Sequence, residues 1–291
     1  MKLIEVKKLS KSIRGKEILR HISFDIEEGD CVALIGPNGA GKTTLMDCLL
    51  GDKFLTSGQA LVQGLKPTDN RLKERVAILP QENTVVGDLK VKELLAFFRT
   101  VYPNSLSEEE IDTLLGFSDK QKNQLASKLS GGQKRLFSFI LALIGRPNIL
   151  FLDEPTSAMD TSTRQHFWEI VDQLKKQGVT IVYSSHYIEE VEHTADRILV
   201  LHKGELIRDT TPYAMRKEEQ EKHFTLPLSY KEIVEKIAGV TEIEIKQKAL
   251  SFATKDASQV WQILQEHGCT IEEIEVRNRT LLDSIFETTQ E

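Results

Sequence analysis

Cys31-Val-Ala-Leu-Ile35 runs directly into Gly36-Pro-Asn-Gly-Ala-Gly-Lys-Thr43, and this junction decides the fold. Five consecutive apolar residues predict a strand buried on both faces, the kind found in parallel sheets. A helical pattern follows from Thr43 to Leu50 and stops at Gly51, a C-cap signal. The segment between fits G-x-x-x-x-G-K-[ST], whose glycines let successive backbone N–H groups turn inward and cradle phosphate oxygens. The start of the helix adds a fractional positive charge aimed at the same anion. Gly36, Pro37, Asn38, Gly39, Ala40, Gly41, Lys42, Thr43 and Thr44 are therefore the expected phosphate-binding residues. In that role Lys42 reaches the terminal phosphates, and the Thr43 hydroxyl is an oxygen ligand for Mg²⁺.

Working outward, Val76–Leu79, Ile149–Leu152 and Thr180–Ser184 read as further short buried strands, with a helix predicted over Ser162–Gln177. Strand–helix–strand alternation predicts an α/β fold around a mainly parallel sheet. Ile4–Leu9 and His21–Ile26 alternate like paired strands around the turn Arg14-Gly15-Lys16. From about Val91 to Gly145 the pattern is helical, with a capping box starting at Ser107, and suggests an inserted helical subdomain over about 87–147.

Two more segments carry chemistry. In Ile149-Leu-Phe-Leu-Asp153-Glu154 the apolar run buries the strand, so Asp153 emerges at its carboxyl end, where open α/β sheets bind ligands. A carboxylate there can hold Mg²⁺, and Glu154 is a candidate general base for an attacking water. In Leu129-Ser-Gly-Gly-Gln133, Ser130 suits an N-cap, and Gly131 and Gly132 let a phosphate approach the helix start.

The chain has 291 residues, with 38 basic and 44 acidic side chains, and 40% of its residues are hydrophobic. That balance excludes disordered and collagen-like classes, and the mild acidic surplus argues against a nucleic-acid partner. No apolar run reaches the roughly 18 residues needed to cross a bilayer, and the N-terminus has no signal-peptide core. The expected location is cytosolic. Cys31, Cys48 and Cys269 are scattered and odd in number, which favours buried thiols over a disulfide framework or a zinc site.

Composition shifts at Pro212–Lys222, a polar stretch expected to be a solvated helix or linker. The division is placed at 1–215 and 216–291. Beyond it, Phe224–Leu226, Tyr230–Ile237, Thr241–Ile245, Leu250–Ala253, Ser258–His267 and Thr270–Val276 read β-α-β-β-α-β, and Leu281–Phe286 reads as a closing helix. This order predicts a small α+β, ferredoxin-like domain, with Trp261 on the apolar stripe of its second helix.

The phosphate loop, Leu129–Gln133 and Asp153-Glu154, in this order, resemble the nucleotide-binding subunit of an ATP-binding cassette (ABC) transporter over about residues 1–215. The resemblance implies a P-loop NTPase cassette with a helical subdomain, cofactors ATP and Mg²⁺, and ATP hydrolysis. It further implies that Gln81 is the Q-loop glutamine that senses Mg²⁺ and faces the membrane partner. By the same resemblance, Ser157-Ala-Met-Asp160 is the D-loop and His186 the switch histidine on the γ-phosphate. Two chains would face each other, each ATP lying between one chain's phosphate loop and the other's Ser130, Gly131, Gly132 and Gln133. The chain would then sit peripherally on the cytoplasmic membrane face, beside integral membrane permease subunits.

There are two departures from the family pattern. Ile13 stands where an adenine-stacking aromatic is usual, and Lys134-Arg135-Leu136 places the arginine one residue early. Ser184–Glu192, Ala195–Arg197, Lys203–Glu205 and Leu281–Phe286 are similar to bacterial exporter cassettes for drugs, lipids or antimicrobial peptides. The competing readings are an importer cassette with a substrate-sensing C-terminal domain and a soluble, non-transport ABC ATPase.

Overall fold

The computed structural model describes residues 2–82, 87–185, 187–218, 222–246 and 249–278. The expected helix at 281–286 and the candidate His186 lie outside them. The chain divides into two compact units, Met1–Thr211 and Pro212–Glu291.

The first unit holds β1 (Lys2–Ile13), β2 (Lys16–Glu27), β3 (Cys31–Ile35), α1 (Lys42–Leu50), β4 (Ser57–Val62) and β5 (Val76–Leu79). A helical stretch follows, comprising α2 (Val91–Val101), α3 (Glu108–Leu115), α4 (Asp119–Asn123) and α5 (Gly131–Leu143). The unit closes with β6 (Ile149–Leu152), α6 (Thr161–Lys176), β7 (Thr180–Ser184), α7 (Ile188–Thr194), β8 (Arg197–His202) and β9 (Glu205–Thr210). Its main sheet has the order β5-β6-β7-β3-β8-β9. All neighbours are parallel except β9, which returns antiparallel along β8.

Every residue of β3, β6 and β7 is buried, because helices or the second sheet cover both faces of the sheet's centre. That second sheet, in the order β2-β1-β4, is antiparallel. Its inward residues, among them Ile4, Val6, Leu19, Phe24 and Val62, pack with Leu34, Leu45 and Leu49 from β3 and α1 in one core. This packing seats α1 and the glycine loop before it.

β1 and β2 run beyond the expected Ile4–Leu9 and His21–Ile26. The ladder continues through register shifts, and Lys8 and His21 have positive φ, so the two-residue alternation breaks while pairing persists. β4, β8 and β9 were not anticipated. β4 carries Gly58 and Gln59 and buries only Ala60 and Val62, too little pattern to read as a strand.

The second unit contains α8 (Pro212–Glu218), β10 (Lys222–Pro227), α9 (Lys231–Val234), β11 (Val240–Lys246), β12 (Ala249–Thr254), α10 (Ala257–Glu266) and β13 (Glu275–Asn278). Its antiparallel sheet has the order β11-β12-β10-β13. Phe224 and Phe252 stack at 5.3 Å in a core shared with Val234, Val260 and Leu264, with Trp261 packed at its edge. The helix expected over Tyr230–Ile237 shrinks to a 3₁₀ turn plus α9. Most of the strand expected over Thr270–Val276 is instead a turn. The Glu273 carboxylate accepts from the Thr270 N–H (2.9 Å) and hydroxyl (3.1 Å), a capping box that satisfies this backbone locally. Among the described residues no helix is long and apolar enough to cross a membrane, and all three cysteines are free and buried.

One ion pair ties the helical stretch together. Arg146, just past α5, donates to both oxygens of Glu110 at 2.8 and 2.6 Å, and the Ser107 N–H donates to Glu110 at 2.7 Å. The Arg146 hydrogen bonds, then that of Ser107, hold the Glu110 carboxyl down from 4.5 to about 2. A depressed folded pKa contributes stability that is present above the unfolded value and is lost as pH falls through the folded one. The stability gap between wild type and Glu110→Gln is therefore expected to narrow as pH drops from about 4.5 to about 2. Chemical denaturation across that range checks it, and a gap constant down to pH 2 would show that the pair contributes nothing.

Candidate functional site

The carboxyl ends of β3, β6 and β7 converge on the glycine loop. Gly36 has φ +151°, and a Cβ there would lie 2.1 Å from the Leu201 carbonyl oxygen. Gly41, at the start of α1, has φ +107°, and a Cβ would lie 2.6 Å from Leu19 Cδ2. Both positions require glycine, since the loop must curl tightly between β8 and β2 to point its N–H groups inward. Lys42 is 7% exposed, and its ammonium donates to the carbonyls of Gly36 (2.7 Å) and Pro37 (3.2 Å). Burial lowers its pKa, while the carboxylates of Glu154 and Asp153 oppose that shift. A lysine held over its own loop by two of its three donors is placed to meet a phosphate with the third.

Thr43 and Asp153 meet directly: the Thr43 hydroxyl donates to Asp153 Oδ2 at 2.8 Å. Asp153 is 4% exposed, and its Oδ1 accepts from the Ser184 hydroxyl at 2.5 Å. Ser184, the last residue of β7, also accepts from the Glu154 N–H at 2.8 Å. This residue was missed at the sequence level, where Ser184-Ser-His drew attention to its histidine. No local signal marks it, because its partners lie 30 and 31 positions away in the sequence. One hydroxyl and one buried carboxylate side by side suit a hard cation that keeps several waters and takes phosphate oxygens. Among the described residues, no group of three or more His, Cys, Asp or Glu could hold a metal.

Glu154 sits at φ +45°, left-handed backbone that costs of order 1 kcal/mol or more for a residue with a side chain. Its Oε2 accepts from Gln81 Nε2 at 3.2 Å, so two of the three expected catalytic side chains are in contact. The backbone around them is held by Arg135, fully buried in α5, which donates to the carbonyls of Pro155 (3.0 Å), Asp153 (2.6 Å), Glu154 (3.1 Å), Gln81 (3.2 Å) and Pro80. Burial brings its pKa down to about 10, against the pull of the Asp153 and Glu154 carboxylates.

Ser130, Gly131, Gly132, Gln133 and Asp160 form a second cluster at the starts of α5 and α6. Ser130 caps α5, its hydroxyl accepting from the Gln133 N–H (3.2 Å) while the Gln133 side chain accepts from the Ser130 N–H (3.0 Å). A Cβ on Gly132 would lie 3.3 Å from Met159 Cα and 3.6 Å from the Asp160 carboxylate, so a side chain would crowd the two helix starts. Asp160 itself caps α6, accepting from the Thr163 N–H (3.0 Å) and from the Ser162 (2.8 Å) and Thr163 (2.9 Å) hydroxyls. These bonds, that of the Thr163 N–H first, hold its carboxyl down at about 2. Ile13 ends β1, half-buried, before the Arg14–Gly15 turn.

The chain is similar to known proteins of one family. The family profile described as ABC transporter matches residues 19–157. The linearmycin resistance ATP-binding protein of Bacillus subtilis is 34% identical over 70% of this chain and 68% of its own length. The Nod factor export ATP-binding protein I of Rhizobium johnstonii is 35% identical over 74% of this chain and 71% of its own. The structure of a bacterial Atm1-family ABC exporter with ATP bound superposes with a TM-score of 0.65 at 25% identity, over 74% of this chain and 39% of that one. A phosphate loop joined to a buried aspartate, in a chain with these relatives, identifies a member of the ABC transporter family: an ATP-binding, ATP-hydrolysing subunit.

Proposed function

We propose that this subunit drives export of a drug, lipid or antimicrobial peptide through separate membrane permease subunits. The observation that carries the chemistry is the contact between Gln81 and Glu154 beside the Thr43–Asp153 pair. The loop N–H groups and Lys42 hold the phosphates of ATP. Thr43, Asp153 and Gln81 are the residues that would hold Mg²⁺, which when bound neutralises charge on the phosphate oxygens. Glu154 takes a proton from a water as that water's oxygen bonds to the γ-phosphorus. The bond to the bridging oxygen breaks, leaving ADP and phosphate. His186 is read as a γ-phosphate contact. The export reading is supported by relatives named for linearmycin resistance and Nod factor export.

In this reading two copies close over two ATP molecules, each copy presenting Ser130, Gly131, Gly132, Gln133 and the Asp160 turn to the nucleotide of the other. ATP favours the closed pair, and loss of the γ-phosphate removes the contacts that favoured it. The pair works beside the permease on the cytoplasmic membrane face, with no nucleic-acid partner. The second unit, whose β-α-β-β-α-β order and β11-β12-β10-β13 sheet support a ferredoxin-like reading, regulates or stabilises the pair.

Glu154→Gln is expected to bind ATP while hydrolysing it about 10²-fold or more slowly, the lower end of a general base's contribution. Size-exclusion chromatography with ATP should show this variant as dimers, and fewer of them when residues 218–291 are removed. Near-normal turnover removes Glu154 from the role of base, and an unchanged dimer fraction removes the second unit from dimer stabilisation. At the base, Ile13 packs against adenine without stacking, so GTP should bind within about tenfold of ATP. Ile13→Tyr should tighten ATP by about 2–10-fold, the equivalent of an aromatic pair. Titration of both nucleotides checks this, and GTP binding weaker by more than tenfold contradicts it.

A further inference from the structure

Arg135 is a charged side chain with no exposed surface, and it lies between the two functional clusters. It belongs to the second turn of α5, the helix that begins with the Ser130–Gln133 cap. Its guanidinium reaches the backbone of two other segments. One is Pro80–Gln81, where β5 gives way to the Gln81 loop. The other is Asp153–Pro155, the turn after β6 that carries the aspartate and the general base.

An arginine has five N–H donors in a rigid planar fork. Here the Nε–H goes to Pro155, two go to Pro80 and Gln81, and two to Asp153 and Glu154, so all five end on main-chain carbonyls. The plane of one side chain thereby fixes the spacing of two loops and of the helix that bears it. A buried cation used only for packing could be replaced by an apolar residue at little cost. This one instead holds the residue at φ +45°, whose side chain meets Gln81.

We propose that Arg135 is a positioning residue for hydrolysis, a crosslink that sets Glu154 and Gln81 relative to each other and ties both to the Ser130–Gln133 end of α5. Movement of that helix start, where a second subunit's nucleotide is read to sit, is passed to the general base through these five bonds. The proposal rests on the reading of Glu154 and Gln81 as hydrolytic groups. An arginine one residue early in the sequence thus has a structural counterpart: from this position it faces both loops.

The test uses the full-length protein with Arg135→Lys, which keeps the charge but has three donors in a different geometry, and Arg135→Gln, which removes the charge. Displacement of catalytic groups by about 1 Å costs on the order of 10²-fold. The kcat of Arg135→Lys is accordingly expected to fall about tenfold or more, with the KM for ATP within about threefold and the thermal midpoint near that of wild type. Combined with Gln81→Ala, Arg135→Lys should lower kcat less than the product of the two single effects, because both act on one arrangement.

Wild-type kcat in Arg135→Lys overturns the proposal, as do fully multiplicative losses in the double variant. Failure of both Arg135 variants to fold also overturns it, marking the arginine as a requirement of the fold alone. Full turnover in Glu154→Gln would instead remove the underlying reading of the base, which separates the two failures.

Discussion

The hydrogen bond from Thr43 to Asp153 joins the helix after β3 to the end of β6. Those strands are not neighbours, for β7 lies between them. With strands about 4.8 Å apart, the bond must close over a gap of about 10 Å across the end of β7. Here β7 ends in the small side chain of Ser184. Its hydroxyl fills the gap by donating to Asp153 and accepting from the Glu154 N–H. Without that hydroxyl Asp153 Oδ1 and the Glu154 N–H would lose these bonds, so the geometry of the site draws on a serine outside the phosphate loop.

The same junction explains how the unfavourable backbone at Glu154 persists. Ser184 holds its N–H and Arg135 its carbonyl, so the turn is fixed on both sides and the carboxylate faces Gln81. The chain thus spends a fully buried serine and a fully buried arginine on orienting one acidic side chain. That is the pattern expected where pre-organisation serves chemistry, because strained residues survive only where their surroundings over-determine them.

Much of this was legible from the residues alone. The apolar run Cys31–Ile35 entering a glycine loop and the apolar run Ile149–Leu152 ending in Asp153 each carry their meaning locally, since burial and loop conformation are set by neighbours in sequence. β4 and β9 left too weak a pattern, because edge strands and short ladders are decided by distant partners: β4 by β1, β9 by β8. Ser184 and Arg135 were opaque for the same reason. Each acts on residues at least 18 positions away, and no spacing rule reveals a hydroxyl or guanidinium that serves another segment's backbone. The capping box at Thr270 shows the converse, a local hydrogen bond overriding an apparent strand pattern.

If the Thr43–Asp153 junction is the cation-holding centre, its signature is the magnesium dependence of ATP turnover. The most direct measurement compares half-saturating Mg²⁺ for hydrolysis in wild type and Asp153→Asn, alongside ATP binding without metal. Loss of the carboxylate should raise the Mg²⁺ requirement by about tenfold or more while metal-free ATP binding stays within about twofold, because a cation held by so few protein ligands depends heavily on each. An unchanged Mg²⁺ requirement in Asp153→Asn would contradict the account.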